Sequence, residues 1–178
     1  ALALGLEKTG STFFFMDGGA DSGDILSQRE ILISYNDTSQ TLYNKITGCA
    51  LKQIELFLPA LSKNQHQRIA QDHTKSTYWR KRTQRDGLID WRMPSRGVYN
   101  LVRSLTRPYV GAHAHYKSTP FKIWSVSEKA KDFSPFAEPG KVIAVDSMAN
   151  SFTVKCGTDS ITVVEHELQS LPKTGEYL

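Results

Sequence analysis

The sequence predicts an α/β chain in which two strands and a long helix precede a small all-β region. Three observations predict it. A β-forming run at Ser11 to Met16 is followed by a second at Ile25 to Ile33, where Leu26, Ile31 and Ile33 are apolar and Gln28 and Glu30 polar. Leu42, Ile46, Cys49, Ala50, Ile54, Phe57, Leu58 and Leu61 then recur at three- and four-residue spacing, the pattern of an amphipathic helix of about six turns. After Gly140 the short runs Val142 to Val145, Phe152 to Cys156 and Ile161 to Val164 alternate with turn-rich stretches, which suits a small barrel or sandwich.

Ala1 to Leu4 reads as the tail of a helix closed at Gly5, so the 178 residues read as the later part of a longer protein. Asp17 to Gly23 holds three glycines and two aspartates in seven residues and is a loop. Tyr35 to Asp37 ends the second strand, and the long helix is read over Thr38 to Leu61, capped by Asp37 or Thr38 and ended by Lys63 and Asn64. Gln65 to Arg85 is polar and basic, and it carries Tyr78 and Trp79. Leu88 to Trp91 is a brief apolar return. Pro94, at a first-turn position, opens a second helix through Arg107 with Val98, Leu101, Val102 and Leu105 on one face, and Pro108 stops it. Ala112 to Val126 reads as two strands around Ser118 to Pro120, and Lys129 to Gly140 as a linker.

With 39% hydrophobic and 22% charged residues, a chain of this length can bury roughly 70% of its unfolded surface, which excludes disulfide-scaffold and disordered classes. The longest apolar run, near Phe13 to Met16, is far too short to span a bilayer, and no secretory leader opens the sequence. Neither a membrane span nor a membrane partner is expected. Cys49 and Cys156 stand in no C-x-x-C spacing, which suits two buried thiols in a reducing compartment; the expected location is cytoplasmic. The net charge of +4 is uneven, because residues 63–107 are net +8 whereas residues 1–62 and 138–178 are each net −3. Such a basic segment, densest at Arg80, Lys81, Arg82 and Arg85, fits either an anionic partner or a solvated face.

The most unusual local sequence is Asp17-Gly-Gly-Ala-Asp21-Ser-Gly-Asp24. Counted as a calcium loop from Asp17 it has Ser22 and Gln28 where Gly and Glu are needed, so no metal is expected there. The plain alternative is a turn whose aspartates bond to their own backbone. His113 and His115 alternate onto one face of a strand with no third ligand near them, and read as surface histidines. Asp86 and Asp90 read as fold-supporting partners of Arg103, while Phe121, Trp91 and Trp124 read as core. Tyr78 and Trp79 can either pack or stack on a nucleobase.

Several blocks together resemble the formyltransferases that use formyl-tetrahydrofolate. Thr9-Gly-Ser-Thr12, the strand after it and Asp21-Ser-Gly-Asp-Ile25 resemble that family's T-G-x-T and D-x-G-x-I block. Asp37-Thr38 with Leu42 resembles the start of its next helix. Lys81-Arg82-Thr83 with Asp86-Gly-Leu-Ile-Asp-Trp91 resembles its K-R-T-x-x-D-G-x-I-D-W, and Asn100 to Ala112 its N-x-x-R-A-x-x-x-P-x-P-G-A, with Ser104 and Val110 as departures. Phe121 to Trp124 and Pro139 to Ile143 resemble the strand and barrel entry that follow.

The resemblance implies the C-terminal part of a Rossmann-like formyltransferase domain followed by a small OB-like β-barrel. The implied boundaries are 1–92 for the catalytic part, 93–137 for a helix and strands leading into the linker, and 138–178 for the barrel. It implies that Asp21 is the catalytic carboxylate, taking a proton from the attacking amine, and that Gly18, Gly19, Ala20 and Asp21 bind the formyl-tetrahydrofolate donor without metal. The family's catalytic Asn and His precede the point matching Ala1, so these residues alone are expected to be inactive. The implied acceptor is a nucleotide-linked amino sugar, held by Tyr78, Arg80, Lys81 and Arg82, since the −3 charge of residues 138–178 suits a broad polyanion poorly. Initiator methionyl-tRNA is the alternative acceptor. A reading of another class is a non-catalytic OB-like module that binds nucleic acid through the basic segment. A homo-oligomer is compatible with either.

Overall fold

The computed structural model describes residues 1–129 and 136–178 and divides into two units. Of the linker expected over Lys129 to Gly140, residues 130–135 lie outside the described residues and Lys129 ends a strand.

One unit comprises Glu7–Tyr35 and Thr41–Lys81. Strands β1 (Lys8–Phe14) and β2 (Ile25–Leu32) pair antiparallel, with Lys8 opposite Leu32 and Phe13 opposite Ser27. Helix α1 (Ser39–Ser62), most of which belongs to this unit, packs its stripe on that ribbon: Leu42 is buried, Ile46, Cys49 and Ile54 are half-buried, and Phe57 meets Phe13 edge-on at 5.0 Å. Cys49 is thus less enclosed than the sequence suggests. The stripe has a polar member that periodicity does not show. Gln53, 1% exposed, donates from Nε2 to the Ser11 carbonyl and to Ser27 Oγ, so one amide ties the helix to both strands. Ile69 then bridges Ile25 and extends the ribbon.

The other unit comprises Ala1–Leu6, Asn36–Gln40 and Arg82–Leu178. Strands β3 (Ala112–Tyr116), β4 (Thr119–Lys129), β5 (Val142–Asp146), β6 (Ser151–Lys155) and β7 (Ser160–His166) form one antiparallel sheet in the order β3-β4-β7-β6-β5. Lys117 and Ser118, both at positive φ, make the tight turn between β3 and β4. The expected barrel is therefore corrected: the strands after Gly140 share their sheet with β3 and β4, and among the described residues no closed barrel is found.

Helix α2 (Ser95–Leu105) begins after Pro94 and lays Val98, Leu101 and Val102 on a core of Trp91, Phe121, Ile123, Val142, Phe152, Val154, Ile161 and Val163. Each such buried aliphatic side chain contributes about 1.5–3 kcal/mol. Trp91 and Phe121 are core as expected. Trp124 is only half-buried, donating to Glu167 with the Arg107 guanidinium over its ring at 4.2 Å.

Gly5, at φ 67°, closes a single 3-10 turn at Leu2–Leu4 where the sequence reads a helix tail. Arg103 is buried on α2 and donates from Nε to Asn100 Oδ1 at 2.9 Å and from a terminal nitrogen to the Asp37 carbonyl at 3.1 Å. Asp90 is not its partner: Asp90 takes the Arg92 side chain at 2.6 and 2.8 Å, which with the Arg92 N–H holds its pKa at about 2. Asp86 caps the 3-10 turn Gln84–Gly87 by accepting from the Thr83 N–H at 2.6 Å. Among the described residues no helix is long and apolar enough to cross a membrane.

The C-terminal residues run beside β5, with the Val142 N–H donating to the Glu176 carbonyl and the Leu178 N–H to that of Gly140. The Glu176 carboxylate accepts from the Lys173 N–H at 2.7 Å, from the Tyr116 hydroxyl and from Lys117, and these donors hold its pKa down at about 2. A pKa lowered by folding adds stability above the unfolded value of 4.5 and loses it as pH falls toward 2. Glu176→Gln should therefore lower the melting temperature at pH 7, with the gap to the wild type closing between pH 4.5 and pH 2. Thermal unfolding across that range checks this, and a gap independent of pH contradicts it.

Candidate active-site loop and basic segment

The connection from β1 to β2 is long for a hairpin, so its polar backbone groups need partners from elsewhere. Asp17 supplies the first: its Oδ1 accepts from the Gly19 N–H at 2.9 Å and from Ser22 Oγ at 2.7 Å. Those bonds, the hydroxyl's first, hold the Asp17 carboxyl below the usual carboxylate range. The turn reading is thus right for Asp17. Gln71 supplies the second, donating from Nε2 to the carbonyls of Asp21 at 2.9 Å and Gly23 at 2.6 Å. At the loop base the Phe15 N–H donates to the Asp24 carbonyl, and Gly23 sits so close to the Phe15 carbonyl that a Cβ there would overlap it.

Asp21 occupies the tip in the left-handed region, φ 55°, which Asp tolerates better than most residues. It is exposed, and among the described residues its carboxylate has no hydrogen-bond or ion-pair partner. The loop therefore treats two of its carboxylates differently: Asp17 holds the backbone and Asp21 is presented to solvent. Gly18 and Ala20 are exposed, and a Cβ on Gly18 would meet nothing within 4 Å, so a flat ring can reach this backbone. Gly19 differs, because a Cβ there would collide with Ser22; its glycine serves the Asp17–Ser22 bond. Gln71 is the residue that sequence reasoning misses here, since a single glutamine in a polar stretch carries no pattern.

Tyr78 is 93% and Trp79 68% exposed, and Arg80, Lys81 and Arg82 are exposed with them, so the two aromatics do not pack in a core. Arg82 also stands at the edge of a cavity of about 500 Å³ in the unit to which it belongs. Lining that cavity is His113, which the structure buries to 8% exposure, whereas its neighbour His115 is exposed as expected. Burial pushes the His113 imidazole below its ordinary range, helped by the Lys122 ammonium and then His115. Cys156 is no nucleophile: burial pushes its thiol up to about 12. Among the described residues no three His, Cys, Asp or Glu side chains are grouped to hold a metal ion.

The Gln71 amide accounts for the shape of the loop tip; its bond to the Gly23 carbonyl is part-buried and its bond to the Asp21 carbonyl is exposed. Gln71→Leu should cost about 1–2 kcal/mol locally and speed hydrogen exchange at the Phe15 amide by roughly tenfold. Unchanged exchange at that amide would show that the loop holds itself.

Comparison with known proteins follows the same layout. Residues 81–173, more than half of the chain, match the family model described as formyl transferase, C-terminal domain, and residues 1–55 match that described as formyl transferase. The fold is similar to the N-formyltransferase from Helicobacter canadensis solved with folinic acid and dTDP-3-aminofucose: TM-score 0.69, 16% identity, 92% of this chain and 58% of that one. HypX from Aquifex aeolicus in complex with tetrahydrofolic acid gives TM-score 0.65 and 15% identity over 95% of this chain and 29% of that one. Methionyl-tRNA formyltransferase from Clostridium thermocellum gives TM-score 0.57 and 20% identity over 72% of this chain and 56% of that one. The chain thus spans between 29% and 58% of the length of these three structures. It belongs to the formyl transferase family.

Proposed function

We propose that the chain is part of an enzyme that transfers a formyl group from formyl-tetrahydrofolate to the amino group of a nucleotide-linked sugar. The observation that carries the reading is the division of labour in the loop, where Asp17 and Gln71 fix the backbone and the Asp21 carboxylate is left exposed at the tip. Formyl-tetrahydrofolate supplies the activated formyl group when bound. The exposed backbone of Gly18, Ala20 and Asp21 offers N–H and C=O groups to a flat heterocycle, with open space over Gly18.

An amine attacks only when unprotonated. Asp21 accepts through a carboxylate oxygen the proton that the amine loses as the new C–N bond forms, and can return it to the folate nitrogen as the bond from that nitrogen to the formyl carbon breaks. The strained tip conformation, φ 55°, sets the direction of that carboxylate, and Gln71 keeps it there. Arg80, Lys81 and Arg82 neutralise the acceptor's phosphates, and Tyr78 stacks on its base. We place β1, β2 and α1 in the C-terminal part of a Rossmann-like domain. Two cysteines in no C-x-x-C spacing support a reaction in the cytoplasm.

Sugar is favoured over tRNA by the net −3 charge of residues 138–178, and support comes from the similarity to a structure solved with a dTDP-amino sugar. Methionyl-tRNA remains a second reading on one observation: the +8 segment presents Tyr78 and Trp79 together, a pairing of cation and aromatic that single-stranded nucleic acid also binds. Asp21→Asn in the full-length protein keeps the shape of the side chain and removes its basicity. Turnover with formyl-tetrahydrofolate and the amino-sugar acceptor should fall about 10²–10⁴-fold with little change in KM. Activity retained within about tenfold would remove Asp21 from the mechanism.

A further inference from the structure

The cavity beside Arg82 lies wholly in the unit that contains the five-stranded sheet. The turn Gln84–Gly87 and Arg82 form one wall; Leu105 at the end of α2, the Val110-Gly111 loop, His113 on β3 and Lys122 on β4 form the others. Its volume, about 500 Å³, lies within the range of small-molecule sites.

Three features give it a chemical preference. His113 is 8% exposed, and among the described residues neither ring nitrogen has a hydrogen-bond partner, so the donor of the ring is left for whatever enters the cavity. Its Nδ1 edge is open because Gly87 has no side chain: a Cβ there would sit 3.3 Å from that nitrogen and from Leu105 Cδ1. Two cations line the same space. Arg82 has no carboxylate partner among the described residues, and the Lys122 ammonium has one long bond, 3.4 Å to the Gly111 carbonyl. The carboxylate in the lining, Asp86, already accepts from the Thr83 N–H and hydroxyl. Leu105 and the exposed Val110 at the rim add an apolar surface that a bare anion would not use.

We propose that this cavity is a binding site for a phosphate monoester of a small organic molecule. The phosphate accepts from the His113 ring N–H and sits between the Lys122 ammonium and the Arg82 guanidinium, and the organic part rests on Leu105 and Val110. The site shares no residue with the Asp21 loop, and its one link to the basic run proposed for the acceptor is Arg82; His113 and Lys122 belong to the cavity alone.

The test is calorimetric titration of the full chain with phenyl phosphate, inorganic phosphate and phenol, together with nitrogen NMR of the His113 ring. One phenyl phosphate should bind and move the His113 ring signals. Inorganic phosphate should bind roughly tenfold more weakly, and phenol more weakly still. Lys122→Gln should weaken phenyl phosphate about tenfold. Val110→Trp, at an exposed rim position that leaves the core intact, should block the mouth and abolish binding. The proposal is overturned if no saturable binding occurs up to about 10 mM, or if the His113 signals stay still at saturation. It is equally overturned if both variants bind like the wild type, or if only Arg80→Gln with Lys81→Gln removes binding, which would assign the phosphate to the exposed basic run.

Discussion

The conformation of the β1–β2 connection rests on two side chains that satisfy its backbone from opposite sides. Ten residues, 15–24, join the strands, too many for a self-contained hairpin turn and too few to pack a core of their own. The Asp17 carboxylate closes the first half onto Gly19 and Ser22, and the Gln71 amide takes two carbonyls of the second half. Asp21 can then stand at positive φ with its carboxylate outward. A single loop thus separates the acid that shapes its backbone from the acid left exposed at its tip, although both carry the same functional group.

The other unit solves a different problem, that of a helix with only one apolar face. Val98, Leu101 and Val102 are taken up by the sheet, while Arg103 on the same helix is buried by partners it can hydrogen-bond, Asn100 and the Asp37 carbonyl. A guanidinium buried in this way cannot be shortened without leaving acceptors unsatisfied, so it fixes the residues before α1 against α2 within that unit. The Thr83–Asp86 capping box does comparable work for the turn at Gln84–Gly87, and that turn places Gly87 against His113.

What could be read in the sequence was what periodicity and turn chemistry record. Runs of β-forming residues mark β1, β2 and the strands after Gly140, with β1 starting three residues earlier than its run, at Lys8; three- and four-residue spacing marks α1 and α2, and the glycine-rich run marks the loop with Asp21. The residues that escaped are polar ones working across the fold. Gln53 hides in an apolar stripe, Gln71 in a polar stretch, and His113 alternates along its strand like the exposed His115; what distinguishes each is a partner, or the lack of one, far away in sequence. Sheet closure was also beyond reach. The pattern after Gly140 fits a barrel of its own, and only long-range pairing shows β4 joined to β7 in one open sheet. Charge alone suggests Arg103 as a partner for Asp90, but Arg92, two residues on, forms the bidentate pair.

The central claim is that the exposed Asp21 carboxylate serves formyl transfer to an amine carried on a nucleotide. The most direct measurement supplies the full-length protein with formyl-tetrahydrofolate and, in parallel, a panel of nucleotide-linked amino sugars and charged initiator tRNA. The account predicts formylation of at least one amino sugar and none of the tRNA. Transfer to the tRNA alone would contradict it, and would mean that the basic segment, rather than the net charge of residues 138–178, selects the acceptor.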